Sequence, residues 1–75
     1  MSASPSPSIQ SSQTAVAHRW RITSERLAAA RYRFQLLHEA EVPDIHELRR
    51  TARIIHDLEL ERGALGRELE SSLRR

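Results

Sequence analysis

Apolar side chains between residues 16 and 37 recur by alternating steps of four and three: Val16, Trp20, then Leu27, Ala30, Phe34 and Leu37, with Thr23 filling the one polar step. That 3.5-residue spacing is the seam of a helix packed against another helix. It ends at Glu41-Val42-Pro43-Asp44. Pro43 has a fixed φ and no N–H, and it pushes Val42 out of the α region, so the first helix is expected to stop near Glu41. Asp44 can then cap a second helix, and Glu47, three residues on, can reach back to complete a capping box.

If the chain reverses about Val42 and Pro43, facing residues have numbers that sum to about 85. The apolar positions obey this. Leu37 faces Leu48, Phe34 faces Ala52, Ala30 faces Ile55 and Leu27 faces Leu58; Trp20 faces Leu65 and Val16 faces Leu69. Large residues meet small ones at Phe34–Ala52 and Ala30–Ile55, so the layers can interdigitate. Trp20 falls opposite Gly63-Ala64-Leu65-Gly66, where missing side chains leave room for an indole. The polar layer sets Thr23 against Arg62. The expected fold is all-α, an antiparallel two-helix hairpin of coiled-coil type. One helix is expected over about 14–41, a turn at 42–44 and a second helix over about 45–70. The first helix has plausible caps at Ser11, Ser12 and Thr14, and Thr23-Ser24-Glu25 offers a later start. Gly63 could end the second helix, but continuation to Leu69 keeps two more seam contacts and is preferred.

The flanking segments differ in character. Residues 1–13 are Ser/Pro-rich with Ile9 as the single large apolar residue, too little to offset the entropy of ordering them, so a disordered tail is expected. Residues 71–75 are expected to fray. With 75 residues and no cysteine, the chain makes at most one domain and has neither disulfides nor thiolate metal ligands to support it. No apolar run approaches the roughly 20 residues that cross a bilayer, and Met1-Ser2-Ala3-Ser4-Pro5 lacks the basic and apolar regions of a secretory signal. A cytoplasmic location is the expectation.

A hairpin this small is marginal alone, and it carries a second apolar stripe. Ile22, Ala29 and Leu36 are spaced by sevens beside Tyr32, and Ile54 lies off the seam on the second arm, as do Ile45 and Leu60. These residues, Ile22, Ala29, Tyr32, Leu36 and Ile54 foremost, are the candidate partner-binding set. The partner would be a second copy completing a four-helix bundle, or another helical protein. The expected function is therefore a non-enzymatic interaction module: a small adaptor, co-chaperone or regulatory subunit.

Charge supplies the alternative. All 12 basic residues are arginine, and Arg19, Arg21, Arg26, Arg31 and Arg33 crowd the first arm against a lone Glu25, whereas residues 39–75 hold nine acids and seven arginines. A basic arm beside an acidic one gives complementarity between helices. Arg19-Trp20-Arg21 and Arg31-Tyr32-Arg33 also interleave aromatics with arginines, as phosphate contact with stacking would require. A nucleic-acid-associated regulator is thus the second reading. Against it, Trp20 belongs to the seam and the acidic arm repels a phosphate backbone.

No catalytic, cofactor or metal site is expected. His46 and His56 are ten residues apart and cannot converge on one ion from a single helix. His38 could approach His46 or Glu47 across the turn, but at most two or three ligands would result. His56 and Asp57 point to different sides of a helix, and neither glycine precedes the lysine of a phosphate loop. Arg26-Leu27-Ala28-Ala29-Ala30, then Pro43, Leu48 and Ala52-Arg53 can be laid over the small two-helix co-chaperones that hold type III secretion needle subunits, which the outline resembles. These residues are common to antiparallel hairpins and carry no site across. The hairpin phosphatases of sporulation signalling share the outline, but in place of their Ser-Gln-Glu-Leu-Asp signature this chain has Arg53-Ile54-Ile55-His56-Asp57-Leu58 at its nearest, so that activity is not expected.

Overall fold

A computed structural model describes the backbone of residues 8–74 and the side chains from Gln13 onward. It contains two helices, α1 (Ser8–His38) and α2 (Ile45–Leu73), packed along their length as an antiparallel hairpin, with no strand among the described residues. The expected tail at 1–13 is helical from Ser8, six residues before the anticipated start; residues 1–7 lie outside the described residues. No proline follows Pro7 until Pro43, and extending a packed helix adds one hydrogen bond for each residue fixed.

The link between the helices is longer than the expected turn at 42–44. α1 stops at His38, where the Glu39 amide donates to the Gln35 carbonyl at 3.0 Å and Gln35 Nε2 donates to Glu39 Oε2 at 3.2 Å. Residues 39–44 then cross to α2, since helix axes lie about 8–10 Å apart and the reversal needs that length of chain. Asp44, at φ −86° and ψ 106°, is the N-cap, its Oδ1 accepting from the amides of His46 (3.0 Å) and Glu47 (3.2 Å). The capping box is not completed. Glu47 turns sideways instead, 3.0 Å from Arg33 of α1 and 3.5 Å from Arg50. α2 runs through Gly63 and Gly66 without a break and reaches Leu73, where Arg74 closes the last turn on Glu70.

The seam on α1 follows its expected positions, with Leu27 (2 % exposed) and Thr23 buried and Val16, Trp20, Ala30, Phe34 and Leu37 half-buried. On α2 one layer is corrected. Thr51 is buried at 3 % exposure and Ala52 is exposed, so Thr51, not Ala52, belongs to the core. A path of 48, 52, 55, 58 takes two consecutive steps of three and would shift the helical phase; 48, 51, 55, 58, 62, 65, 69 keeps the alternation unbroken. Trp20 does lie against Gly66, but at a distance that would still admit a Cβ. A Cβ built on Gly66 would lie 3.6 Å from Trp20 Nε1, whereas one on Gly63 would meet only Arg67.

Candidate interaction surface

Two broad flanks remain open on a hairpin, one to each side of its seam. Ion pairs between the arms mark them. Arg31 reaches Glu59 at 2.8 Å on one flank, and Arg33 reaches Glu47 at 3.0 Å on the other. Both pairs match the expected complementarity of the arms. Arg31, Glu59 and Arg33 are about half exposed or more, with Glu47 the most covered of the four, so each pair is worth about 1 kcal/mol at most.

The flank marked by Arg33 carries most of the candidate stripe. Ala29, Tyr32, Leu36 and Ile54 are exposed, and Ile22 is half-buried. Ile54 sits in a shallow groove with Ala30, Arg33, Glu47, Arg50 and Thr51, so both arms contribute to this surface. Ile22, Ala29 and Leu36 form one line along α1, and Tyr32 stands at its outer edge, three residues after Ala29 and four before Leu36. Helical spacing sets Arg26 and Arg33 between this line and the seam.

Sequence reasoning does not single out the opposite flank. There Trp20, Leu27, Glu59, Arg62, Gly63 and Gly66 line one groove. A second, more apolar groove at the open end is lined by Gln13, Thr14, Ala17, Leu69, Ser72 and Leu73. The available signal is compositional: the residues that follow the seam positions Val16 and Thr23 are small, Ala17 and Ser24. A polar cluster spans the seam at the first groove, which Arg62 lines. Thr23 Oγ1 donates to Glu61 at 2.9 Å, and Arg62 Nε donates to Ser24 Oγ at 2.8 Å, with its guanidinium 5.0 Å from the centre of the Trp20 ring. The expected Thr23–Arg62 layer is thus divided into two bonds, and the arginine gains a cation–π contact. No buried side-chain nitrogen or oxygen lacks a partner among the described residues.

The five candidate arginines do not form one patch. Arg31 and Arg33 are occupied by Glu59 and Glu47 on opposite flanks, and Arg21 donates to His18 Nδ1 at 3.2 Å. Arg19 and Arg26 share the flank of Arg33 by their spacing of seven. His38 stacks on Phe34, with ring centroids 6.2 Å apart, rather than crossing to His46 or Glu47. Among the described residues, no three His, Cys, Asp or Glu side chains come together as metal ligands, and no helix is long and apolar enough to cross a membrane. Compared with known proteins, the chain matches no family model, no curated protein and no solved structure.

Proposed function

We propose that this chain is a non-enzymatic interaction module, an adaptor or regulatory subunit that works by presenting an apolar helix face to another helical surface. One observation carries the reading. Among the described residues the buried apolar core consists of Leu27 and Leu65, whereas Tyr32, Leu36, Val42, Ile45, Ile54, Leu60 and Leu73 remain exposed. A domain of this size gains stability by burying such side chains against a partner. The line of Ile22, Ala29 and Leu36, with Tyr32 and Ile54, supplies a face of the length that a single partner helix covers.

Ile22→Glu with Leu36→Glu tests it. Association with a helical partner, followed by sedimentation across a salt series, is lost in the double variant and changes little with salt in the wild type. Binding that instead falls steeply with salt, and that a DNA or RNA oligonucleotide competes away, refutes the reading in favour of phosphate contact by the arginines.

A further inference from the structure

Both flanks of the hairpin are open to solvent, but they are unlike in chemistry. On the flank of Arg33, the positions next to the seam are Arg19, Arg26 and Arg33 on α1, and Glu47, Ile54, Glu61 and Glu68 on α2. All are charged except Ile54. On the flank of Arg31, α1 contributes Ala17, Ser24, Arg31 and His38. There α2 contributes Ile45, Ala52, Glu59, Gly66 and Leu73, so among the described residues of this row the acid–base pair Arg31–Glu59 is the only fixed charge; the seam residue Arg62 also reaches this flank, where Ser24 and the Trp20 ring hold its guanidinium. An isolated pair of helices gives no reason for one flank to be stripped of charge. A helix that packs on neighbours in two directions does, because its apolar face widens from two seam positions per heptad to three, taking in one flank only.

The charge that remains identifies the neighbour. Arg31 and Glu59 lie at the same height on the two arms, 2.8 Å apart, and near the middle of their rows. A second copy laid face to face, rotated by a two-fold axis running along the hairpin, sets each α1 over the other copy's α2. Arg31 of each chain then lies beside Glu59 of both chains, and the four charges alternate in a ring. The same rotation sets Ser24 over Gly66 and Ala17 over Leu73, and it covers the half-exposed edge of Trp20. Rotation about the perpendicular axis, which sends the turns to opposite ends, stacks Arg31 on Arg31 and Glu59 on Glu59, which repel. We infer that the flank of Ala17, Arg31, Ala52, Glu59 and Gly66 joins two copies of this chain into a four-helix bundle, with both turns at the same end. This rests on the helix-face reading above and uses the flank opposite Ile22 and Leu36, which stay free for a different partner.

Sedimentation at micromolar concentration tests it, using the whole chain of 8.6 kDa. The wild type is expected at twice that mass. Ala17→Glu with Ala52→Glu, both exposed on the single hairpin, is expected to return it to a monomer that keeps its helical circular dichroism. Arg31→Glu and Glu59→Arg each break the pair within a chain and between chains, so each alone is expected to be mainly monomeric. Mixing the two restores opposite charges across the interface, and mixed dimers are expected to form. Spin labels on Val42→Cys, in the link, are expected on the order of 20–30 Å apart for turns at one end, against more than about 44 Å for turns at opposite ends, one length of α2 at 1.5 Å per residue. A monomeric wild type, a mixture that yields no mixed dimer, or labels at the long distance overturns the inference. The helix-face reading fails separately, when Ile22→Glu with Leu36→Glu leaves partner binding intact.

Discussion

Leu27→Ala measures how unevenly the seam is buried. Leu27 is 2 % exposed, while Leu58, its expected counterpart on α2, is only half-buried. Truncating leucine to alanine removes three carbons, at about 0.8 kcal/mol each, or about 2.4 kcal/mol in transfer free energy. In a sealed core the cavity left behind raises the total to as much as about 5 kcal/mol. Leu27, however, forms part of the open groove shared with Trp20, Gly63 and Gly66. The indole or water can enter the space, so the cavity contribution is small and the expected cost is about 2.5–3 kcal/mol. Leu58→Ala loses roughly half the transfer term, about 1–1.5 kcal/mol. Arg31→Ala forfeits an exposed ion pair worth under about 1 kcal/mol. Urea unfolding followed by circular dichroism gives all three, in the monomeric Ala17→Glu/Ala52→Glu background, where the groove stays open and association does not contribute. Equal losses for Leu27→Ala and Leu58→Ala, with unchanged slopes, would refute the graded burial.

Four further outcomes follow from local geometry. A Cβ on Gly66 would lie 3.6 Å and 3.9 Å from Trp20, ordinary contact distances, so Gly66→Ala should stabilise the monomeric Ala17→Glu/Ala52→Glu background by about 0.5–1 kcal/mol through helix propensity; Gly66→Leu should displace the indole and shift its fluorescence to the red. Asp44→Ala removes the acceptor of two amides and should cost about 0.5–2 kcal/mol in thermal or urea unfolding. Arg33→Ala should cost less than about 1 kcal/mol at low salt and nothing measurable at 1 M salt.

The hairpin was legible because its signals are local and reinforce one another. Pro43 forbids helix, Asp44 caps one, and a 3.5-residue alternation on α1 admits a single seam. The layer at Thr51 is hard to read because pairing large Phe34 with small Ala52 competes with the evenness of the heptad, which a buried threonine preserves. The spacing of Glu47 from Asp44 points to a capping box; its competitor, Arg33, is 14 residues away in sequence and enters only once the arms are aligned. The charge-poor flank was hidden for a similar reason. Ala17, Ser24, Ala52 and Gly66 belong to one surface only after the phase of both helices is known.

Because the arms are joined at one end only, the molecule opens as a zipper does. Tension applied between Ser8 and Leu73 loads one layer at a time, so rupture begins at the open end, where Gln13 and Ser72 are half-buried, and runs past Leu69 toward the link. The advancing fork meets the indole against Gly66 and then the paired bonds Thr23–Glu61 and Arg62–Ser24, each spanning 38 residues. Closure runs the other way. The Arg33–Glu47 contact spans 14 residues, which makes its loop easier to close than that at Thr23–Glu61 by about 0.9 kcal/mol. The layers beside Asp44 therefore form first and break last, and the polar cluster round Arg62 is the catch that an opening hairpin must release before its Leu27 layer is exposed.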